Sequence, residues 1–82
     1  MSDNLKPVIS PISGVFYRKP APEQPAFVEE GTQVKKGQTL CLLETMKVFT
    51  KIKAPVDGVV TEISIEDENT VEKNQVIMKI KS

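Results

Sequence analysis

The chain is 82 residues long and 39% hydrophobic, which fits one small globular domain with a thin core. Its eleven acidic and eleven basic residues balance, so we expect neither a nucleic-acid partner nor a membrane partner. With no histidine and a single cysteine, the sequence excludes histidine-dependent catalysis, an intrachain disulfide and a cysteine-cluster metal site, and no metal is expected.

Residues 1–7 are predicted to form an N-terminal tail, and residues 8–82 the folded domain. The N-terminus lacks the basic region and the apolar stretch of a secretory signal. No apolar run approaches the ~18 residues that cross a bilayer. The predicted location is therefore the cytoplasm.

From residue 8 onward, short segments rich in Val, Ile, Leu and Phe predict β-strands. Turn-forming residues separate them at 35–38, 55–58, 66–69 and 72–75. No segment keeps a helical 3.6-residue apolar period, so the expected fold is all-β, a flattened barrel or sandwich. Cys41 lies in an apolar segment and is expected to be a buried, unreactive thiol.

The two halves of the chain repeat each other. "VISPISGV" at 8–15 matches "IKAPVDGV" at 52–59 with an offset of 44. "VKKGQTLCLL" at 34–43 matches "VEKNQVIMKI" at 71–80 with an offset of 37, which aligns a glycine with an asparagine. These two residue types best tolerate a positive φ angle. The repeat predicts two four-stranded halves related by a pseudo-twofold axis, with the chain ends lying together.

The change of offset places seven extra residues in the first half, between Val15 and Val34. They fall in "YRKPAPEQPAF" at 17–27, where three prolines within six residues rule out a central strand. This insertion is either a tolerated surface excursion or a functional protrusion. In both cases the flanking Tyr17 and Phe27 could hold it against the body of the domain.

The stretch "CLLETMKVFTKI" at 41–52 must contain a reversal, because the repeat places separate strands on either side of it. We predict the turn at 45–48, although none of its residues is a usual hairpin residue such as Asn, Asp or Gly. Lys47 would then be the most exposed lysine, beside an exposed Met46. On the residues alone, two interpretations stay open: a solvated lysine, or a site of modification or docking.

"ETMKV", between "TLCLL" and "APVDGVV", resembles the attachment site of the biotinyl-domain family, and "SPISGVFYRKPAP…AFVEEG" is similar to the opening of biotin carboxyl carrier domains of acetyl-CoA carboxylases. The resemblance covers residues 8–81. It implies a barrel-sandwich hybrid fold, with biotin amide-linked to Lys47 by a biotin protein ligase. It also implies a thumb at the insertion, formed by Lys19, Pro20, Ala21, Pro22, Glu23, Gln24, Pro25 and Ala26.

The resemblance further implies that the ligase reads the residues around the lysine, namely Glu44, Thr45, Met46 and Val48. Glu44 could instead keep other modifying enzymes away by its charge, or be only a solvated strand end. Thr45 and Val48 depart from the Ala or Ser and the Met that are usual in biotinyl domains, and this departure partly matches lipoyl domains. Met46, where lipoyl domains typically have Asp, favours biotin together with the thumb.

The function implied by the resemblance is that of a non-catalytic carrier. It would move a carboxyl group from a biotin carboxylase to a carboxyltransferase, which makes malonyl-CoA from acetyl-CoA in fatty-acid synthesis. Three alternatives stay open: a biotinyl domain of another acyl-CoA, pyruvate or urea carboxylase, a lipoyl carrier domain, and an unmodified adaptor of the same fold.

Overall fold

The computed structural model describes residues 5–82, in which the chain forms β-strands and no helix. The strands are β1 (Leu5–Ile9), β2 (Gly14–Tyr17), β3 (Gln33–Val34), β4 (Thr39–Thr45), β5 (Val48–Lys53), β6 (Gly58–Ile63), β7 (Thr70–Val71) and β8 (Val76–Lys81). None of the described residues belongs to a helix that could span a membrane. The all-β prediction is confirmed.

The strands form two antiparallel sheets, with the orders β1-β8-β6-β3 and β5-β4-β2-β7. If each strand of the first half is exchanged with its repeat equivalent in the second, one order becomes the other. Each sheet therefore takes two strands from each half, and the halves interleave. The sheets do not close into a barrel, so the flattened sandwich is the form that the chain adopts.

The hydrogen bonds of the turns obey the same pseudo-twofold relation. The amide of Gly37 donates to the carbonyl of Ala54 at 2.9 Å, and the amide of Asn74 donates to the carbonyl of Ser10 at 2.7 Å. Gly37 has a φ angle of 90° and Asn74 one of 73°. The alignment of glycine with asparagine thus reflects one backbone conformation that is used twice.

Two glycines allow strands to approach closely at equivalent places. A Cβ atom on Gly14 would lie 2.7 Å from the carbonyl oxygen of Glu44. A Cβ atom on Gly58 would collide with the carbonyl oxygen of Lys81, the repeat equivalent of Glu44. Close packing therefore favours glycine at positions 14 and 58.

The core lies between the two sheets, and alternate residues of the long strands point into it. Its most deeply buried side chains are Phe16, Leu40, Cys41, Leu43, Val60, Val71, Ile77, Met78 and Ile80. Each large aliphatic or aromatic side chain among them contributes about 1.5–3 kcal/mol through burial. Cys41 is 0% exposed, and burial raises the pKa of its thiol to about 12, so the predicted buried thiol is confirmed.

The ends of the described chain lie side by side, as the repeat predicts, because Leu5 pairs with Lys81 in the antiparallel ladder of β1 and β8. This pairing starts three residues before the predicted domain boundary at residue 8, so residues 5–7 belong to the sheet. The first four residues of the predicted tail lie outside the described residues. The β4–β5 connection occupies the equivalent place in the other sheet.

Candidate functional site

The β4–β5 hairpin turns at Met46 and Lys47, where the turn was predicted. Thr45 and Val48 form the last pair of the ladder, so only two residues make the connection. Met46 has a φ angle of 49° and Lys47 one of 68°. Positive φ angles at both central residues are what a type I′ turn requires. This left-handed conformation costs about 1–2 kcal/mol for each residue with a side chain. The sequence therefore keeps a strained turn where Asn-Gly would be relaxed.

Apolar side chains surround the apex of this hairpin in solvent. Met46 is 92% exposed, Val48 58% and Phe49 57%. Lys47 is also exposed, and no hydrogen bond or ion pair joins its ammonium group to any residue from 5 to 82. The hairpin thus presents an accessible primary amine among exposed apolar side chains.

Below the apex, Tyr17 on β2 contacts both strands of the hairpin. Its hydroxyl donates a hydrogen bond of 3.0 Å to Oε1 of Glu44 on β4, and this bond is the largest cause of the raised pKa of Tyr17. Its ring lies 5.9 Å from the ring of Phe49 on β5, at an interplanar angle of 54°. Glu44 is half-buried, so it is more than a solvated strand end. Neither contact of Tyr17 could be predicted from the sequence, since spacing along the chain does not show which side chains meet across a sheet.

The insertion at 19–26 projects between β2 and β3, and two backbone hydrogen bonds give it a defined shape. The amide of Phe27 donates to the carbonyl of Arg18 at 2.8 Å and closes its base. Within it, the amide of Gln24 donates to the carbonyl of Ala21 at 3.0 Å. Phe27 packs against the core. The insertion is therefore a loop closed at its base, and its first half shares a cavity with the sheet that contains the hairpin.

A cavity of about 280 Å³ lies between this loop and the sheet. Tyr17, Leu42 and Phe49 line it from the sheet. Lys19, Pro20, Ala21 and Pro22 line it from the loop, and Asp67 and Glu68 line it from the turn before β7. Of the predicted thumb residues, the first four thus reach the cavity, whereas Glu23, Gln24, Pro25 and Ala26 do not line it. Phe49 belongs to the hairpin as well as to the cavity wall, and it lies two residues along the chain from Lys47.

The acidic run at 66–68 lies in the predicted turn, and two of its residues, Asp67 and Glu68, have a structural role there. Oδ1 of Asp67 accepts a hydrogen bond of 2.8 Å from the amide of Arg18. Glu68 has a φ angle of 68° at the position equivalent to Gly31, where the φ angle is 95°. Within residues 5–82, no group of three or more potential ligands could hold a metal ion.

Comparison with protein families gives a match over nearly the whole chain. The model of the family described as "Biotin-requiring enzyme" matches residues 6–80. Among curated proteins, the chain is 44% identical over 81 residues to the biotin carboxyl carrier protein of acetyl-CoA carboxylase from Nostoc sp., covering 99% of this chain and 44% of that protein. It is 48% identical over 73 residues to the protein of that name from Haemophilus influenzae, covering 89% of this chain and 47% of that protein. The chain thus spans less than half the length of these relatives.

Solved structures share the fold at lower identity. A Kluyveromyces lactis urea carboxylase matches with a TM-score of 0.78 at 22% identity, covering 98% of this chain and 6% of that one. A single-chain, multi-domain long-chain acyl-CoA carboxylase matches with a TM-score of 0.79 at 14% identity, covering 100% of this chain and 8% of that one. At these identities, the likeness is evidence for the fold alone.

Proposed function

This chain belongs to the family of biotin-requiring enzymes, and we propose that it is the non-catalytic biotin carrier domain of an acetyl-CoA carboxylase. Biotin would be attached through an amide to Nζ of Lys47. The names of the relatives from Nostoc and Haemophilus support the choice of acetyl-CoA carboxylase. The activity of the whole enzyme, its substrates and its partners come to this chain by that analogy. The cytoplasm stays the predicted location.

The observation that carries the proposal is the apex of the β4–β5 hairpin. A lysine without a partner stands at the tip of a two-residue turn whose backbone is strained and whose neighbours are apolar and exposed. The fold alone does not require this arrangement, since an Asn-Gly turn would make the same connection without strain. A recognition role accounts for both the strain and the exposed apolar surface.

The residues present fit the attachment of biotin. An amine that is already free of hydrogen bonds can be acylated without breaking a contact, and the amide product removes the positive charge of the lysine. The rigid two-sheet body fixes the base of the arm, while the lysine side chain provides reach. When bound, biotin supplies a ring nitrogen that accepts a carboxyl group. Tethering then keeps it at a high effective concentration for each partner enzyme.

We assign the partners by position on the domain. A biotin protein ligase would read the hairpin through Glu44, Thr45, Met46 and Val48, with Phe49 as a further apolar contact. The thumb at 19–26 would stand beside the attached group, because its first half and Phe49 line one cavity. A biotin carboxylase and a carboxyltransferase would then receive the lysine arm in turn.

Intact-mass spectrometry after co-expression with a biotin protein ligase tests the attachment. We expect a single biotin-sized increment, which Lys47→Arg abolishes. Lys36→Arg is the matched control, since Lys36 is also exposed and lies in the turn before β4. An unmodified chain, under conditions that biotinylate a control domain, would refute the biotin carrier proposal and leave the lipoyl carrier and the unmodified adaptor.

A lipoyl carrier is the second candidate, because Thr45 and Val48 partly match the lipoyl pattern. The same mass measurement with a lipoate ligase separates the two. A lipoyl-sized increment that is faster and more complete than the biotin increment would favour it. A biotinyl domain of a different carboxylase gives the same biotin increment, and assays with acetyl-CoA, other acyl-CoA compounds, pyruvate and urea distinguish that case.

A further inference from the structure

We propose that Tyr17 is a positioning residue for the Lys47 hairpin, and that it acts by holding the Glu44 carboxylate away from the Lys47 ammonium group. This inference rests on the proposed function. It assigns to Tyr17 a role in how the amine is presented to the modifying enzyme.

Glu44 lies near the end of β4, three residues before Lys47 along the chain. Two flexible side chains of opposite charge at this spacing are long enough to meet. Among residues 5–82, no ion pair within 4.0 Å joins them. Instead, Oε1 of Glu44 accepts the hydroxyl hydrogen of Tyr17 at 3.0 Å. The carboxylate three residues before Lys47 is thus engaged on the face of the sheet.

Tyr17 contacts the hairpin just below its turn. Glu44 and Phe49 pair directly across β4 and β5, one position below the pair that closes the turn. Tyr17 hydrogen-bonds to the first and contacts the ring of the second. One side chain on β2 therefore fixes both strands of the hairpin immediately below the strained turn.

The offset of 44 aligns Tyr17 with Thr61, which lies at the irregularity of β6 between Val60 and Glu62, so that Glu62 pairs with Lys79. Neither Thr61 nor Glu62 is a tyrosine, and the hydroxyl of Thr61 donates to the carbonyl of Lys79 within its own sheet at 3.3 Å. The fold therefore does not need a tyrosine at this position, nor a hydrogen bond from it to a carboxylate. The contact is present in the half of the chain that carries the candidate site, and a role at that site explains the difference.

A double-mutant cycle in the ligase reaction tests the inference. Tyr17→Phe removes the hydroxyl and keeps the ring against Phe49, while Glu44→Gln keeps an acceptor oxygen and removes the charge. We expect Tyr17→Phe to raise the KM of the ligase for the domain about three- to ten-fold with kcat changed less than two-fold. In the Glu44→Gln background, the same substitution should change KM less than two-fold.

A second measurement does not depend on the ligase. Trace labelling with limiting acetic anhydride compares the acylation of Lys47 with that of Lys36 in the same molecule. Tyr17→Phe should lower the relative labelling of Lys47 about two-fold or more, and the double variant should restore it. Thr61→Val removes the equivalent hydroxyl in the other sheet, and we expect it to change neither KM nor labelling.

The outcomes separate this inference from the proposed function. If the unaltered domain is not biotinylated at all, the proposed function fails. If it is biotinylated and Tyr17→Phe has no effect, or raises KM equally with and without the Glu44 charge, Tyr17 does not act through Glu44 and the inference is overturned. Urea unfolding of each variant shows whether it is folded, and a KM increase that follows lost stability in both backgrounds also overturns the inference.

Discussion

Substitution of Met46 by asparagine should stabilise the domain and impair its modification at the same time. Met46 has a φ angle of 49°, a left-handed conformation that costs about 1–2 kcal/mol for a residue with an ordinary side chain. Asparagine adopts this conformation several-fold more often than most residues. Because Met46 is 92% exposed, almost no buried area is lost. We therefore expect Met46→Asn to raise the free energy of unfolding by about 0.5–1 kcal/mol.

For a domain of this size, that change corresponds to a Tm increase of about 2–8 °C. Urea and thermal unfolding measure it directly. In the ligase reaction, the same variant should show a KM raised about ten-fold, since the apolar contact beside Lys47 is replaced by an amide. Met46→Leu is the control, because it keeps the strain and the apolar surface. Its stability should stay within about 0.5 kcal/mol of the original.

Two results would refute this reasoning. A Met46→Asn domain that is no more stable than the original would show that the turn holds no relievable strain. A variant that is stabilised and still biotinylated with an unchanged KM would show that Met46 is not kept for recognition.

Four further predictions follow from packing, titration and the thumb. Gly58→Ala should lower the free energy of unfolding by about 1–3 kcal/mol, because its Cβ collides with the carbonyl of Lys81, and an unchanged urea midpoint would contradict this. The hydrogen bond to Glu44 raises the pKa of Tyr17 above its ordinary value of 10.0. This bond therefore stabilises the fold below pH 10, and the stabilisation is lost as the pH rises through the higher pKa of the folded state. The Tm difference between the domain and Tyr17→Phe should therefore vanish in strongly alkaline buffer, and a difference that grows with pH would reverse the sign. Cys41, with a pKa of about 12 and no exposure, should react with a thiol reagent only as fast as the domain unfolds, so fast labelling in native buffer would argue against its burial. Excision of residues 20–26 should spare folding and biotinylation but slow carboxyl transfer, and normal transfer would argue against a functional thumb.

The repeat in the sequence predicted most of the fold. It predicted the two related halves, the neighbouring chain ends and the reversal at 45–48, and it aligned Gly37 with Asn74 at a shared positive φ angle. These features could be read from the sequence because turn chemistry and strand patterning depend on residues close together along the chain. Lys47 also stood out locally, since it lies in a turn without turn-forming residues.

Tertiary structure alone decided what surrounds Lys47. Tyr17 and Glu44 are 27 residues apart in the chain, and their hydrogen bond depends on the register of β2 against β4. The exposed Phe49 belongs to the site because the hairpin register places it opposite Glu44 and beside the thumb. A sheet places side chains together by register and by face, and a shift of one residue would turn each of them to the other side. The sequence by itself thus determined where the chain reverses and which amine stands at the tip, while the pairing of strands determined which side chains lie together below that tip.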